Sequence, residues 1–376
     1  MISKRVSAVS PSATLKISES AKKLKREGKP VIDMGVGEPD FPTPKYIVDA
    51  AYKAMLEGKV FYTPTRGVPE LLDVISEKLK KENGIEFNPE NIIVTPGAKY
   101  AIFEAVMSVI NEGDEVILLD PSWVTYEACV QMAGGKVVWV PHSENFSDAP
   151  VEDYITNKTK MIIFNSPSNP LGVVYPMDFL KKLRDLAVDE NILIMSDEIY
   201  EKILFEGEHV SIASLDDMLE RTIIINGLSK TYSMTGWRIG YAAAPADIVK
   251  AMAKMQSHSV SHPTSFVQYA AIEAMKGDQS FIEEMVKEFR ARRDLLMSGL
   301  DKLGIRYAPP KGAFYIFMDV ERDSMNFCQE FLEKEFVATT PGSAFGQSYK
   351  TWIRVSYATS RENIIEMLNR LERFLG

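Results

Sequence analysis

Seven short, almost unbroken apolar runs, spaced along the middle of the chain, decide what this sequence can become. They fall at 92–95, 115–119, 136–140, 160–165, 192–196, 222–226 and 237–243. A strand wetted on one face alternates apolar with polar residues. Runs without that alternation are expected to be covered on both faces, as in a mostly parallel sheet packed between helices. The segments between them carry helical patterns: one opened by Thr43 and Pro44 as cap and first turn and stopped near Gly58, then 69–83, 98–110 and 177–190. Past Gly277 the style changes. Residues 281–303 read as one long charged amphipathic helix, and strands at 313–319, 337–340 and 352–357 then alternate with helices at 326–335 and 361–374. The expected fold class is α/β: a large domain over 44–280 with a mostly parallel seven-stranded sheet, and a smaller α+β domain from an N-terminal arm, 1–43, plus 281–376, with the long helix bridging them.

A chain of 376 residues suits two such units, and its 45% apolar and 25% charged content is ordinary for a globular protein. No internal repeat or low-complexity tract is evident, no run of 18 apolar residues occurs, and the opening residues lack a signal peptide's apolar core, so a cytoplasmic location is expected. A net charge of −9 argues against nonspecific nucleic-acid binding. Cys129 and Cys328 form no CxxC pair, and His142, His209, His258 and His262 form no metal-binding pattern, so neither a disulfide nor a metal is expected.

Chemistry concentrates where the apolar runs end, which is where open α/β sheets bind ligands. The run at 222–226 leads to Lys230, with Ser229 beside it, Gly227 and Gly236 flanking it and Arg238 on what reads as the next strand. A lone loop lysine is usually a solvated one. An amine with a hydroxyl and a guanidinium for company suits a phosphorylated aldehyde. After the run at 92–95, Gly97, Ala98 and Lys99 open a helix whose free N–H groups can take an anion, although an ordinary tight turn reads the same way. The run at 160–165 ends in NSPSNPLG, whose prolines could present the Asn169 amide. The run at 192–196 ends in SDEIY, giving Asp197 and, one helical turn on, Tyr200. A carboxylate closing an apolar strand needs a cationic or N–H partner, and a protonated pyridine nitrogen would serve.

Together, GVGEPDFPTP, TPGAKYAIF, PSWVTYEA, SDEIY, NGLSKTYSMTGWRIGY and WIRVSYATS resemble the class I aminotransferases of fold type I, which use pyridoxal 5′-phosphate. The likeness spans nearly the whole chain and, with PSAT near the start, is nearest the bacterial aspartate aminotransferase branch. The resemblance implies that Lys230 forms the Schiff base with the cofactor and acts as general base and acid, while Asp197 pairs with the pyridine nitrogen. It also implies that Tyr200 and Asn169 hold the ring's phenolate oxygen and that Trp123, otherwise a core helix residue, stacks on the ring. Arg238, Ser229 and the backbone at Gly97, Ala98 and Lys99 would bind the phosphate, joined by Tyr62 from the second subunit of a homodimer. Arg354, which by itself reads as a surface residue on an edge strand, would clamp the substrate α-carboxylate with help from the Gly37 backbone.

Three positions depart from the family pattern. Ser168 and Leu171 replace the usual Asn and Thr, and Gly227 stands where many relatives are expected to carry a phosphate-binding serine, which would shift that duty toward Arg238. The implied reaction is a ping-pong exchange between aspartate or glutamate and oxaloacetate or 2-oxoglutarate, with Lys99 facing the side-chain carboxylate or else a solvated helix lysine. Aromatic amino acids, alanine, prephenate with glutamate, and β-elimination are the competing chemistries on the same scaffold. Related chains that act as ligand-sensing halves of transcription regulators carry an extra DNA-binding domain, for which this acidic chain shows no signal.

Overall fold

The apolar runs do assemble into one sheet. The computed structural model describes residues 2–7, 9 and 13–376; Pro11 and Ser12 of the PSAT motif lie outside the described residues. In chain order the strands are β1 (Ile32–Asp33), β2 (Ile92–Thr95), β3 (Glu115–Asp120), β4 (Lys136–Pro141), β5 (Thr159–Asn165), β6 (Leu193–Asp197), β7 (Thr222–Gly227), β8 (Gly240–Ala243), β9 (Tyr307–Ala308), β10 (Tyr315–Asp319), β11 (Val337–Ala338), β12 (Thr340–Pro341) and β13 (Trp352–Ser356). Seven form the large sheet in the order β2-β8-β7-β6-β5-β3-β4, and β8 alone runs against the others.

Although the central runs are continuously apolar, their side chains still alternate between faces. Ile117, Leu119, Ile162, Phe164 and Ile194 enter one core layer, while Val116, Leu118, Met161, Ile163, Met195 and Ile223 enter the other. Each fully buried side chain of this kind contributes about 1.5–3 kcal/mol. The edge strand β4 is an exception to the doubly buried expectation, since most of its residues keep partial exposure.

Several boundaries differ from those expected. Thr235–Trp237 form one 3-10 turn and Arg238 has φ +56°, so the strand begins only at Gly240 and Arg238 stands before it. Residues 337–340 divide between two sheets: β11 pairs in parallel with β1, while β12 joins an antiparallel sheet ordered β12-β13-β10-β9. Thr43 caps nothing, because its hydroxyl donates to the Ser233 carbonyl at 2.7 Å, and the helix Lys45–Leu56 starts after Pro44. Tyr200 sits in a turn rather than a helix. Helices Val124–Ala133, Ala246–Ser259 and Ser265–Lys276 add to those expected; Val124–Ala133 and Ser265–Lys276 are covered on more than one side and so show a weak helical stripe, whereas Ala246–Ser259 buries one face through Val249, Met252 and Gln256.

The long helix Ser280–Lys302 follows, and it packs with Arg361–Leu375, Ser324–Glu335 and the small sheet in a core that includes Ile32 and Met34 from the start of the chain. No helix of the described residues is long and apolar enough to cross a membrane.

Candidate active site

The carboxyl ends of β5 and β6, the first turn of helix Ala98–Val109 and the small-sheet strands β12 and β13 enclose one cavity of about 540 Å³. Lys230 lies on its wall, three residues beyond β7, and its Nζ donates to the Gly37 carbonyl, brought in by the segment that follows β1. Burial lowers the Lys230 pKa to about 8, with Arg354 and Arg238 acting in the same sense and Glu38 and Asp197 opposing. An amine so placed is neutral to about one part in ten at pH 7, far more than an ordinary lysine, as a nucleophile or base requires.

Asp197 closes β6 and is 3% exposed. The Tyr126 hydroxyl donates to its Oδ2 at 2.6 Å and the Ile199 N–H to its Oδ1 at 3.2 Å. Burial nevertheless pushes the carboxyl up to about 6, the two hydrogen bonds only moderating the rise. Asn165, at the end of β5, donates to the Asp197 carbonyl at 2.7 Å and accepts from the Asn169 N–H at 2.8 Å, which ties the NSPSNPLG turn to the aspartate. Tyr200 shares a 2.9 Å hydrogen bond with Tyr315.

At another corner Gly97 takes φ +86° and opens the helix, leaving the Ala98 and Lys99 N–H groups without intrahelical acceptors. The Arg238 guanidinium lies directly against Gly97, in the space any side chain there would need, and donates to the Thr235 carbonyl at 2.7 Å and the Pro96 carbonyl at 3.3 Å. Ser229 lines the same wall. Gly227 belongs elsewhere. It is the last residue of β7, paired with Gly240, and a Cβ at 227 would stand 2.9 Å from the Gly240 Cα. The departure expected to weaken a phosphate site is therefore a close-approach glycine within the sheet, where no serine fits.

Trp123 immediately precedes helix Val124–Ala133 and lines the cavity while also packing against one core layer, with the Lys99 amine 5.0 Å from its ring centroid. Loss of solvation and neighbouring Arg238 lower the Lys99 pKa.

Arg354 departs most from the reading of its residue type. It is 6% exposed and sits on β13, paired on one side with Thr340 of β12 and on the other with Phe317 of β10, so its strand is internal. Its Nη1 donates to Asn169 Oδ1 at 3.0 Å, and its Nη2 to the Gly35 carbonyl at 2.7 Å and to Thr340 Oγ1 at 3.2 Å. The rings of Tyr315 and Phe345 flank it at 4.6 and 5.1 Å, while Nε is buried without an acceptor. Among the described residues no carboxylate pairs with it, an arrangement that costs several kcal/mol unless an anion arrives.

Tyr62 stands apart. It is 92% exposed, outside the cavity, and edge-on to His262.

Residues that sequence reasoning did not assign are Tyr126, Asn165, Tyr315, Phe345 and Thr340. Tyr126 lies within the PSWVTYEA motif, and the need of a buried carboxylate for donors is the signal that points to it. The assembled site can hold a small molecule bearing anionic groups at two separated points, the helix corner and Arg354, with a reactive amine and a buried carboxyl between them.

The model of the family described as aminotransferase class I and II matches residues 29–371. Over the whole chain, the aspartate aminotransferase of Bacillus subtilis (strain 168) is 46% identical, with 98% of that protein covered. The aspartate/prephenate aminotransferase of Thermus thermophilus is 42% identical, with 99% covered. Among solved structures, the Thermus thermophilus aspartate aminotransferase with maleate superposes with a TM-score of 0.96 at 42% identity, covering 99% of each chain. The Thermotoga maritima aspartate aminotransferase gives 0.95 at 39%, covering 100% of each. A fold-long match of this depth, together with an amine, a buried carboxyl and an unpaired guanidinium converging on one cavity, makes this chain a member of the class I and II aminotransferases.

Proposed function

We propose that this chain is a pyridoxal 5′-phosphate enzyme that moves the amino group between L-aspartate or L-glutamate and the oxo acids oxaloacetate and 2-oxoglutarate. The observation that carries the proposal is the buried Arg354 fork, free of any acidic partner among the described residues, across the cavity from Lys230 and Asp197. The names of the relatives support the dicarboxylic substrates. Some relatives are named for aspartate and prephenate together, which makes prephenate the second candidate.

The residues present fit the cofactor. A phosphate suits the helix corner, where two N–H groups, Arg238 and Ser229 gather and Gly97 leaves room for the guanidinium. A protonated ring nitrogen suits Asp197, whose carboxyl lacks a cation, and Trp123 offers a flat face. Tyr200 and Asn169 would hold the ring oxygen. When bound, the cofactor supplies an aldehyde and an electron-accepting ring.

The chain's own residues do the rest. Asp197, ionised beside a cation, would keep a ring nitrogen of the cofactor protonated. Arg354 orients the substrate by its α-carboxylate, assisted by the Gly37 backbone, so that the α-hydrogen faces Lys230. Lys230 Nζ, neutral in part because burial lowers its pKa, would take that proton as base, hold it at Nζ and give it back as acid, the electron pair left at the α-carbon being accepted by the ring the cofactor supplies. Lys99, at the cavity mouth, offers a cation to a second carboxylate.

A large unit over 44–280 would then carry Lys230 and Asp197, and a small unit from 1–43 and 281–376 would carry Arg354. A second copy of the chain is inferred to cover the exposed apolar face formed by Val48, Tyr52, Met55 and Leu56 with Val60 and Phe61, bringing Tyr62 to the neighbouring phosphate corner. A cytoplasmic location accords with this chemistry.

The test follows cofactor absorbance in the loaded protein as aspartate, glutamate, alanine, phenylalanine, tyrosine and, with glutamate, prephenate are supplied. Rapid conversion by aspartate and glutamate, lost in Lys230→Ala and weakened only for dicarboxylates in Lys99→Ala, is expected. A cofactor band that never forms would overturn the assignment, and conversion mainly by aromatic amino acids or alanine would overturn the substrate.

A further inference from the structure

The GVGEP segment crosses from the small unit to the reactive lysine, and Glu38 within it has no place in the mechanism above. Glu38 Oε2 accepts a hydrogen bond from Thr235 Oγ1 at 2.9 Å. The Thr235 carbonyl in turn accepts from Arg238 Nη1 at 2.7 Å, so Glu38 is tied to the same short turn that carries the anion-binding guanidinium. Its neighbour Gly37 supplies the carbonyl that takes the Lys230 amine, and both residues line the cavity. Thus one hydrogen bond pins the segment at Glu38, and the adjacent peptide unit meets Nζ. We propose that Glu38, anchored by Thr235, is a positioning residue that holds the Gly37 carbonyl on the Lys230 amine and sets how readily that amine gives up its proton.

The charged groups facing Lys230 come from every side of the cavity. Asp197 at the end of β6 and Glu38 favour the protonated amine; Arg354 on β13 and Arg238 before β8 oppose it. Of the two carboxylates, Asp197 is buried, half-titrated near pH 6 and committed to Tyr126 and Ile199, and it becomes matched by a cation once a cofactor nitrogen is bound. Glu38 remains. It is the acidic group whose influence on Lys230 persists in the loaded site, and the Thr235 bond keeps a side chain that is otherwise exposed from swinging into solvent. Because one side of Glu38 is wet, its effect is moderate: about half to one pH unit, or roughly three- to tenfold in the neutral fraction.

This inference rests on the assignment of Lys230 as the reactive amine and is tested apart from turnover. The apo protein, wild type, Glu38→Gln and Thr235→Val, is exposed to an amine-acylating reagent between pH 6 and 10, and modification of Lys230 is followed by peptide mass spectrometry. Glu38→Gln is expected to shift the midpoint down by about half to one unit, and Thr235→Val to shift it less in the same direction. Unchanged midpoints in both variants, with folding intact by circular dichroism, would overturn the proposal; should Glu38→Gln not fold, an unchanged Thr235→Val midpoint would do so alone. Cofactor binding by the wild-type protein is recorded in parallel. Absence of any cofactor band would sink the functional assignment, whereas a normal band with unmoved midpoints would sink only the role of Glu38.

Discussion

Replacing Asp197 with Asn should make the cofactor-free protein more stable, although the residue is central to the site. Burial raises the carboxyl from 3.8 to about 6, so above pH 6 the empty site holds a buried charge without a cation. A shift of that size corresponds to about 3 kcal/mol. Between pH 3.8 and 6 the folded state binds more protons than the unfolded state, so stability falls as pH rises through that window and stays low above it. Asparagine carries no charge to bury. Its amide oxygen can accept from the Ile199 N–H and its NH₂ can donate to the Tyr126 oxygen; the Tyr126 O–H then loses its acceptor, a loss of about 1 kcal/mol that does not vary with pH and is smaller than the charge-burial term. Urea unfolding of the apo forms at intervals from pH 4.5 to 7.5 should therefore show Asp197→Asn gaining on wild type with rising pH, toward about 3 kcal/mol. Loading the cofactor should reverse the order, because only the carboxylate pairs with a cationic nitrogen. A gap that does not change with pH, or a variant less stable than wild type at pH 7.5 without cofactor, would refute the reasoning.

Arg354→Gln should cost about 3 kcal/mol in kcat/KM, near a hundredfold, mostly as a higher KM for the amino acid and with cofactor content unchanged by absorbance. Tyr126→Phe removes a donor that lowers the Asp197 pKa, so the carboxyl should rise further and cofactor affinity fall about tenfold in an equilibrium titration of the apo protein. Glu104, fully buried on helix Ala98–Val109 with neither carboxyl oxygen hydrogen-bonded, is pushed up to about 8 by burial. Its ionisation destabilises the fold as pH rises from 4.5 toward 8, so Glu104→Gln should unfold at higher urea than wild type at pH 9 and show little difference at pH 5. Mixing Lys230→Ala with Tyr62→Ala subunits should restore part of the activity that each homodimer lacks, read by turnover after joint refolding; no recovery would exclude a shared site.

The sheet was legible because burial on two faces leaves a compositional trace: central strands such as β5 and β7 are apolar from end to end. The edge strand β4 has a similar composition but lacks that cover, and composition alone does not tell edge from centre. Lys230, Asp197 and the Gly97 turn were readable from local order, since each lies at a strand's end or within three residues of it. Arg354 was not. Its burial depends on β12 and β10 closing over β13, a tertiary fact that a WIRVS pentapeptide cannot carry, and only the resemblance placed it in the site. Tyr126 stayed hidden for a related reason, because its partner Asp197 lies 71 residues away.

The pairing of β1 with β11, and the bond from Arg354 to the Gly35 carbonyl across 319 positions, have a consequence for synthesis. A ribosome has exposed Asp197, Lys230 and the central strands well before Arg354 exists, while the GVGEP segment has no strand to lie beside until β11 emerges. The sheet can condense on the nascent chain before Arg354 and its strand are made, and contacts this distant in sequence are the slow part of folding. Chains cut short before residue 337 would thus retain the lysine and the helix corner yet lack β11, Arg354 and the wall of the cavity they form.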